Sequence, residues 1–240
     1  MNGFIEYFVG HQEIETVFRP FGFYHMTWLV VAIAATLFFA NINRNEKTER
    51  ILAITVFVSQ ILTMTWYMLG PMFWQDGLPF YTCRIAAIAF GIGCFRHNSF
   101  LKALGTYLGF IGGIIALMNP VLFPYKIWHF CNINFFVFHI ALLGLSSYYL
   151  THYGETLRKH QLKVQRTVLE LMVFIAVVNF IIGSNYSYAA SAPLLQEKLN
   201  RLSWLTYFAL LNIVYQSAIL AEGRLIQSPI VERAATVALP

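Results

Sequence analysis

Charged side chains are scarce in this chain of 240 residues. Asp, Glu, Lys and Arg make up 11% of the sequence, whereas 58% of the residues are hydrophobic. Soluble domains carry roughly 25% charged residues. The composition therefore excludes an ordinary soluble domain. It predicts an all-α, polytopic membrane protein, because helices satisfy their own backbone hydrogen bonds in lipid.

Three further absences limit the possible functions. Residues 1–18 contain no Lys or Arg, which argues against a cleavable signal peptide. The three cysteines are not in metal-ligand spacing, so they indicate neither a zinc site nor a disulfide framework, and we expect no metal and no cofactor. The net charge of +5 does not indicate nucleic acid as a partner, since the basic residues lie in connections between apolar runs.

Long apolar runs are what the sequence has instead. Seven of them, each about 16 to 21 residues, are long enough to span a bilayer. They cover residues 24–42, 51–69, 79–95, 103–118, 130–150, 165–183 and 203–221. Because the connections are short, we expect one seven-span membrane domain over residues 1–240, in a multi-pass protein of the cell membrane.

Lys and Arg are concentrated in alternate connections. They follow the first, third, fifth and seventh runs, while the remaining connections are poor in them. Since basic loops stay in the cytoplasm, this bias predicts a seven-helix bundle with its N-terminus outside and its C-terminus in the cytoplasm.

The third run opens with a thiol next to a cation, Cys83 and Arg84. A charge at membrane depth is costly and usually serves a function. We therefore interpret Cys83 as a candidate nucleophile. Arg84 would favour its thiolate or hold a phosphate or carboxylate of a substrate. Two plainer readings stay open: Cys83 as a small buried hydrophobe, or a disulfide between Cys83 and Cys131 on the outer side.

Polar side chains from other runs are predicted to share the outer half of the bilayer with Cys83. In the fifth run His129, Asn132 and His139 fall within an arc of about 80°, while Cys131 points away. In the seventh run Gln216 shares a face with two other polar residues and would line the floor of the same cavity. The remaining candidates for substrate contact are His25, Tyr67, Asn185 and Tyr186.

Several of these polar and aromatic residues also have structural explanations. Trp66, Tyr188 and Trp204 at helix ends are typical of the aromatic belt of a membrane protein. Asn179 and Asn212 are typical of hydrogen bonds between helices.

A thiol and an imidazole on a membrane bundle suit acyl transfer. His139 or His129 would take the proton of Cys83, and the thiol would carry the acyl group as a thioester. Asn185 and Tyr186 would donate hydrogen bonds to the oxyanion. Membrane lipids would be the substrate. A carrier or receptor for a small or lipidic ligand is the alternative without a covalent step.

Four motifs in the sequence resemble a known family. They are Leu78-Pro79 followed by Cys83, Phe135-Phe136-Val137-Phe138-His139, Gly183-Ser184-Asn185-Tyr186-Ser187-Tyr188, and Phe21-Gly22-Phe23-Tyr24-His25. The chain resembles the bacterial YwaF-like membrane proteins over nearly all seven runs. Those proteins are similar to the animal transmembrane protein 164 acyltransferases.

The resemblance implies a Cys–His fatty-acyl transferase that acts on lysophospholipids. It maps the family's Cys to Cys83 and its catalytic His to His139. Its early His corresponds to His25, and its Asn-Tyr pair to Asn185 and Tyr186. The chain departs from the family at residues 80–82, where a Leu-His-Leu-like sequence is expected, and in a longer segment between Pro124 and His139. A related animal group that hydrolyses lipid esters with Thr and His makes a hydrolase the further alternative.

Overall fold

A computed structural model describes residues 2–11, 18–193 and 195–226. These residues form helices and contain no strand, so the all-α class is confirmed. The helices are α1 (Asn2–Val9), α2 (Phe23–Asn41), α3 (Glu46–Met68), α4 (Thr82–Phe95), α5 (Ser99–Met118), α6 (Phe130–His152), α7 (Gly154–Ile182), α8 (Gln196–Leu199) and α9 (Trp204–Ile226). A π-helical turn (Phe73–Gly77) precedes α4, and a 3₁₀ turn (Tyr186–Tyr188) follows α7.

Six of these helices are long and apolar enough to cross a membrane: α2, α3, α5, α6, α7 and α9. The fourth helix is apolar but has only 14 residues. Large apolar side chains such as Phe23 and Phe180 remain about nine-tenths exposed, as expected for surfaces that face lipid tails. The protein is therefore a multi-pass membrane protein. Its orientation and its organisation as one seven-span domain stay predictions.

Local sequence signals set several helix ends. The side chains of Asn45 and Asn98 cap α3 and α5 by accepting from the backbone N–H groups of Lys47 and Leu101. The seventh helix ends at Gly183, which adopts the left-handed conformation that glycine tolerates best (φ 66°). That helix begins at residue 154, eleven residues before the predicted run. Hydropathy detects only its apolar part, and its first turns are polar.

The sixth helix is the centre of the bundle. In its most apolar window 78% of the residues are buried, against 11% for α2. It packs against α2, α3 and α5, and more lightly against α4 and α7. Because α6 is surrounded in this way, its polar residues face protein rather than lipid.

The fourth helix starts three residues later than the predicted run, which began at residue 79. The carbonyl of Phe80 accepts from the hydroxyl of Ser187 at 2.6 Å, and that of Leu78 accepts from Arg84 at 3.0 Å. If α4 began at residue 79, these carbonyls would instead accept hydrogen bonds from backbone N–H groups of the helix itself. A 14-residue helix is about 21 Å long, shorter than a hydrocarbon core of about 30 Å. The extended segment before α4 has to cover the difference.

Candidate functional site

Cys83 is the second residue of α4, and it is half-buried. No side chain caps this end of α4, so first-turn N–H groups and the positive end of the helix dipole lie at the thiol. The residue before it, Thr82, is 3.2 Å from the hydroxyl of Tyr215 through its Oγ1 atom. Tyr188 of the 3₁₀ turn and Tyr215 of α9 both interact electrostatically with Cys83.

His139 lies in the middle of α6 with 5% of its surface exposed. Its Nδ1 atom is 2.7 Å from the carbonyl of Phe135, four residues earlier. A carbonyl can only accept, so Nδ1 carries the proton and Nε2 has the free lone pair. Among the residues that the structure describes, Nε2 makes no hydrogen bond. This tautomer is the one that a general base uses.

Gly112 and Gly113 are neighbouring residues of α5. Gly112 lies beside Cys83 of α4, and Gly113 lies beside the backbone of His139 in α6. A Cβ atom placed on Gly112 would lie 3.7 Å from the Cβ of Cys83. A Cβ atom placed on Gly113 would lie 3.4 Å from the backbone oxygen of His139 and 3.1 Å from the Cβ of Leu143. The absence of side chains at both positions lets α4 and α6 approach the same turn of α5.

Arg84 is buried, and its guanidinium binds protein groups. Its Nη1 atom donates to the carbonyls of Asp76 and Leu78, at 2.5 and 3.0 Å. The guanidinium also lies 5.3 and 5.0 Å from the ring centres of Tyr67 and Tyr81. It therefore fixes the segment before α4, and its charge acts electrostatically on both Cys83 and His139.

Tyr186 fixes the same segment from the opposite side. Its hydroxyl accepts from the N–H of Leu78 at 3.0 Å and donates to the carbonyl of Trp74 at 2.9 Å. Tyr67 packs beside the π-helical turn, where its Cβ would be 2.8 Å from a Cβ on Gly77. Non-helical backbone at membrane depth must have its polar groups satisfied by protein, and these side chains do so.

Both ring nitrogens of His129 are occupied. Its Nδ1 atom accepts from the N–H of Cys131 at 3.2 Å and caps α6, and its Nε2 atom donates to the carbonyl of Gly10 at 3.0 Å. Its ring stacks on that of Tyr125, with 4.4 Å between centres. Burial lowers the pKa of His129, which favours this neutral form. The arrangement supports a structural role.

His25 is bound in a similar way. Its Nδ1 atom accepts from the N–H of Phe21 at 2.9 Å, and its Nε2 atom is 2.7 Å from the carbonyl of Leu117. No part of the residue is exposed. His25 thus joins the start of α2 to the end of α5 and leaves no nitrogen for a substrate.

Three of the predicted site residues are amides, and the side chain of each forms hydrogen bonds with backbone groups of the protein. Asn132 accepts from the N–H of Phe123 and donates to three carbonyls of the segment before α6. Asn185 binds the backbone of residues 190 and 191, and Gln216 donates to the carbonyl of Gln165, from α9 to α7. Of the predicted set, Cys83 and the backbone of His139 lie beside adjacent glycines of α5, and Arg84 acts electrostatically on both residues.

The three cysteines are free, so the alternative of a Cys83–Cys131 disulfide is not found. Cys131 is 1% exposed in an aromatic cluster with Trp66, Tyr67 and Tyr125, as expected for a packing residue. Cys94 lies near the other end of α4, 3.5 Å from the Glu49 carboxylate. The three thiols occupy different environments.

By its place in the sequence Tyr188 is typical of the aromatic belt, whereas in the structure Tyr188 interacts electrostatically with Cys83. It is the last residue of the 3₁₀ turn and has a positive φ of 57°, rare for a tyrosine. Its backbone oxygen accepts from the hydroxyl of Tyr207 at 2.6 Å, whereas its own hydroxyl makes no hydrogen bond among the described residues. Burial, together with Cys83 and Asp76, raises the pKa of Tyr188 to about 12, so it remains a donor. The positive φ is not visible in the sequence.

The comparison with protein-family models gives a match to the TMEM164 family over residues 20–221. The chain belongs to the TMEM164 family. The match runs from just before α2 to within α9, so it contains Cys83, His139 and Tyr188. No curated protein and no solved structure matched the chain. Membership of the TMEM164 family confirms the predicted resemblance and is consistent with a function carried out within the membrane.

Proposed function

We propose that this protein transfers acyl groups between lipids in the outer leaflet of the cell membrane, with Cys83 as nucleophile and His139 as base. The proposal is supported by two observations: Nε2 of His139 has a free lone pair, and the backbone of His139 lies beside Gly113, next to the glycine that Cys83 contacts. Of the two histidines of the α6 stripe, His139 is the one with an unoccupied ring nitrogen.

The first half of the reaction loads the thiol. Nε2 of His139 takes the proton of Cys83, and the sulfur attacks the carbonyl carbon of a lipid ester. The carbon–oxygen bond breaks, and the leaving alcohol receives the proton from Nε2. The first-turn N–H groups of α4 and the Arg84 charge stabilise the thiolate, and burial of the site opposes it.

The second half unloads the thiol. A hydroxyl of a lysophospholipid gives its proton to Nε2 and attacks the thioester carbonyl. The carbon–sulfur bond breaks, and the thiolate recovers the proton. In both halves a negative oxygen develops near Cys83. The hydroxyl of Tyr188 is a better donor to it than the amide of Asn185, because that amide already binds residues 190 and 191.

The proposal is tested with purified protein in nanodiscs that contain a labelled phospholipid and an unlabelled lysophospholipid. Wild-type protein should give labelled acyl exchange and a hydroxylamine-sensitive mass increase on Cys83. Cys83→Ala should abolish both, and the matched variant Cys131→Ala should retain them. Labelled free fatty acid in place of exchanged lipid would identify a hydrolase. Equal acyl loading on the Cys83→Ala protein, or no reaction of wild type with any lipid ester, would contradict the proposal.

A further inference from the structure

A second polar site lies at the end of the bundle opposite Cys83. It is a cavity of about 320 Å³ whose walls come from the α2–α3 connection, the end of α4 and the adjacent ends of α5, α6 and α7. Cys83 is twelve positions before Phe95, the last residue of α4, which corresponds to about 18 Å, and His97 of the cavity wall lies beyond that end. The cavity is therefore separate from the proposed acyl-transfer site.

Basic side chains line this cavity. Arg44, Lys102, His97 and His152 all contribute to its wall. The Nε2 atom of His152 is buried without a hydrogen bond of normal geometry among the described residues. A cavity of this composition offers several hydrogen-bond donors and positive charge to one ligand.

Arg44 is held in place but not neutralised. Its Nε atom donates to the hydroxyl of Tyr153 at 3.1 Å, and its guanidinium stacks 4.3 Å above the centre of that ring. In the part of the chain that the structure describes, no carboxylate lies within ion-pair distance of it. The planar guanidinium is thus fixed at the cavity wall with its remaining N–H groups available.

Lys102 differs because it pairs with the buried Glu49. The Glu49 carboxylate also accepts from the hydroxyl of Tyr153 at 2.8 Å and from the thiol of Cys94 at 3.5 Å. The acid is therefore satisfied behind the cavity wall. Glu155 is the acid on the wall itself, and it is exposed.

The N-terminus of α7 points to the same place. Gly154 and Thr156 in its first turn line the cavity, and Tyr153 at the cap position makes no side-chain hydrogen bond to that turn. The first turn of a 29-residue helix presents free N–H groups and a partial positive charge. Helix N-termini of this kind bind phosphate groups.

We propose that this cavity binds a phosphate group, between the guanidinium of Arg44, the ammonium of Lys102 and the first turn of α7. The ligand is an anionic phospholipid head group or a water-soluble phosphate ester, which share this chemistry. The volume suits one phosphate with a few further atoms. Binding here does not depend on acyl transfer, so Cys83→Ala should leave it unchanged.

The test uses full-length protein in phosphatidylcholine nanodiscs. One arm titrates glycerol 3-phosphate and measures binding by calorimetry. The other adds phosphatidic acid to the bilayer and counts retained lipid by native mass spectrometry. Binding in the first arm identifies a soluble ester, and binding in the second alone identifies a lipid head group.

Variants decide whether the binding is at the proposed site. Arg44→Gln should weaken it about tenfold or more, the effect of one lost charge-assisted hydrogen bond. Glu155→Gln should strengthen it, because an exposed acid at the cavity is removed. Arg96→Gln removes an exposed cation from the same end of the bundle and should bind as wild type does. Equal weakening by Arg44→Gln and Arg96→Gln, no effect of Glu155→Gln, or no binding in either arm would overturn the proposal.

Discussion

Cys83 and His139 lie against consecutive glycines of one helix. The side chain of Cys83 is beside Gly112 and the backbone of His139 is beside Gly113, both on α5. Small residues at a contact let membrane helices approach closely. Here two small residues in sequence bring two partners to the same turn from different directions. The distance between α4 and α6 in this region therefore depends on α5.

The two glycines should respond differently to alanine. At Gly112 the new methyl group would be in ordinary contact with Cys83, so Gly112→Ala should keep the thermal midpoint but fill space beside the thiol and reduce acyl transfer. At Gly113 it would come within 3.1 Å of Leu143, and we expect a loss of about 1–3 kcal/mol from overpacking. Thermal denaturation and the exchange assay on the two variants measure the difference. Equal stability of both would contradict the packing described here.

The two candidate bases can be separated by amide substitutions. His139→Gln should abolish exchange, because an amide is not basic enough to take the thiol proton. His129→Asn should retain exchange, since Asn is itself a good cap for α6. Exchange rates are compared at equal amounts of folded protein. Loss of activity in His129→Asn with normal thermal stability would assign the base to His129 instead.

His129 should also make stability depend on pH. Its pKa is lowered by burial from an ordinary value of 6.5, so the unfolded chain binds a proton more readily. The stabilisation from neutral His129 is then fully present above pH 6.5, and it is lost as the pH falls from there toward the lowered pKa. Wild type should lose more stability than His129→Asn between pH 7 and pH 5. Parallel curves for the two proteins would contradict this.

The all-α class follows from hydropathy, whereas the roles of the polar residues do not. His25, His129 and Asn132 are polar groups at the ends of apolar runs, and from the sequence alone His129 is a candidate base and the other two are candidates for substrate contact. In the structure their partners are backbone groups of Leu117, Gly10 and Phe123. Gly10 and Phe123 belong to connections whose paths carry no periodic signal, and nothing in the sequence shows that the end of α5 meets the start of α2. His139 differs because it is inside a helix, where geometry is regular and a carbonyl four residues earlier fixes its tautomer.

Arg84 is another predicted site residue whose partners in the structure are groups of the protein itself. Substitution by Lys keeps the charge but cannot reproduce a planar donor stacked between Tyr67 and Tyr81. We expect Arg84→Lys to loosen residues 73–81, which hydrogen exchange with mass spectrometry would detect as faster exchange there. The helices α6 and α7 should be unaffected. Unchanged exchange in residues 73–81 would show that Arg84 does not fix that segment.

Tyr188 provides the sharpest test of how the oxyanion is stabilised. Its hydroxyl has no hydrogen bond among the described residues, so Tyr188→Phe should leave the thermal midpoint unchanged. The same change should slow acyl transfer about tenfold to a hundredfold, because one donor to the developing oxyanion is removed. The fall should appear in kcat rather than KM, since that bond forms in the transition state. Tyr207→Phe is the matched control: it loses a 2.6 Å hydrogen bond to the backbone of Tyr188 and should lower stability as well. If Tyr188→Phe retains full kcat, the donors are instead the Tyr215 hydroxyl or the first-turn N–H groups of α4.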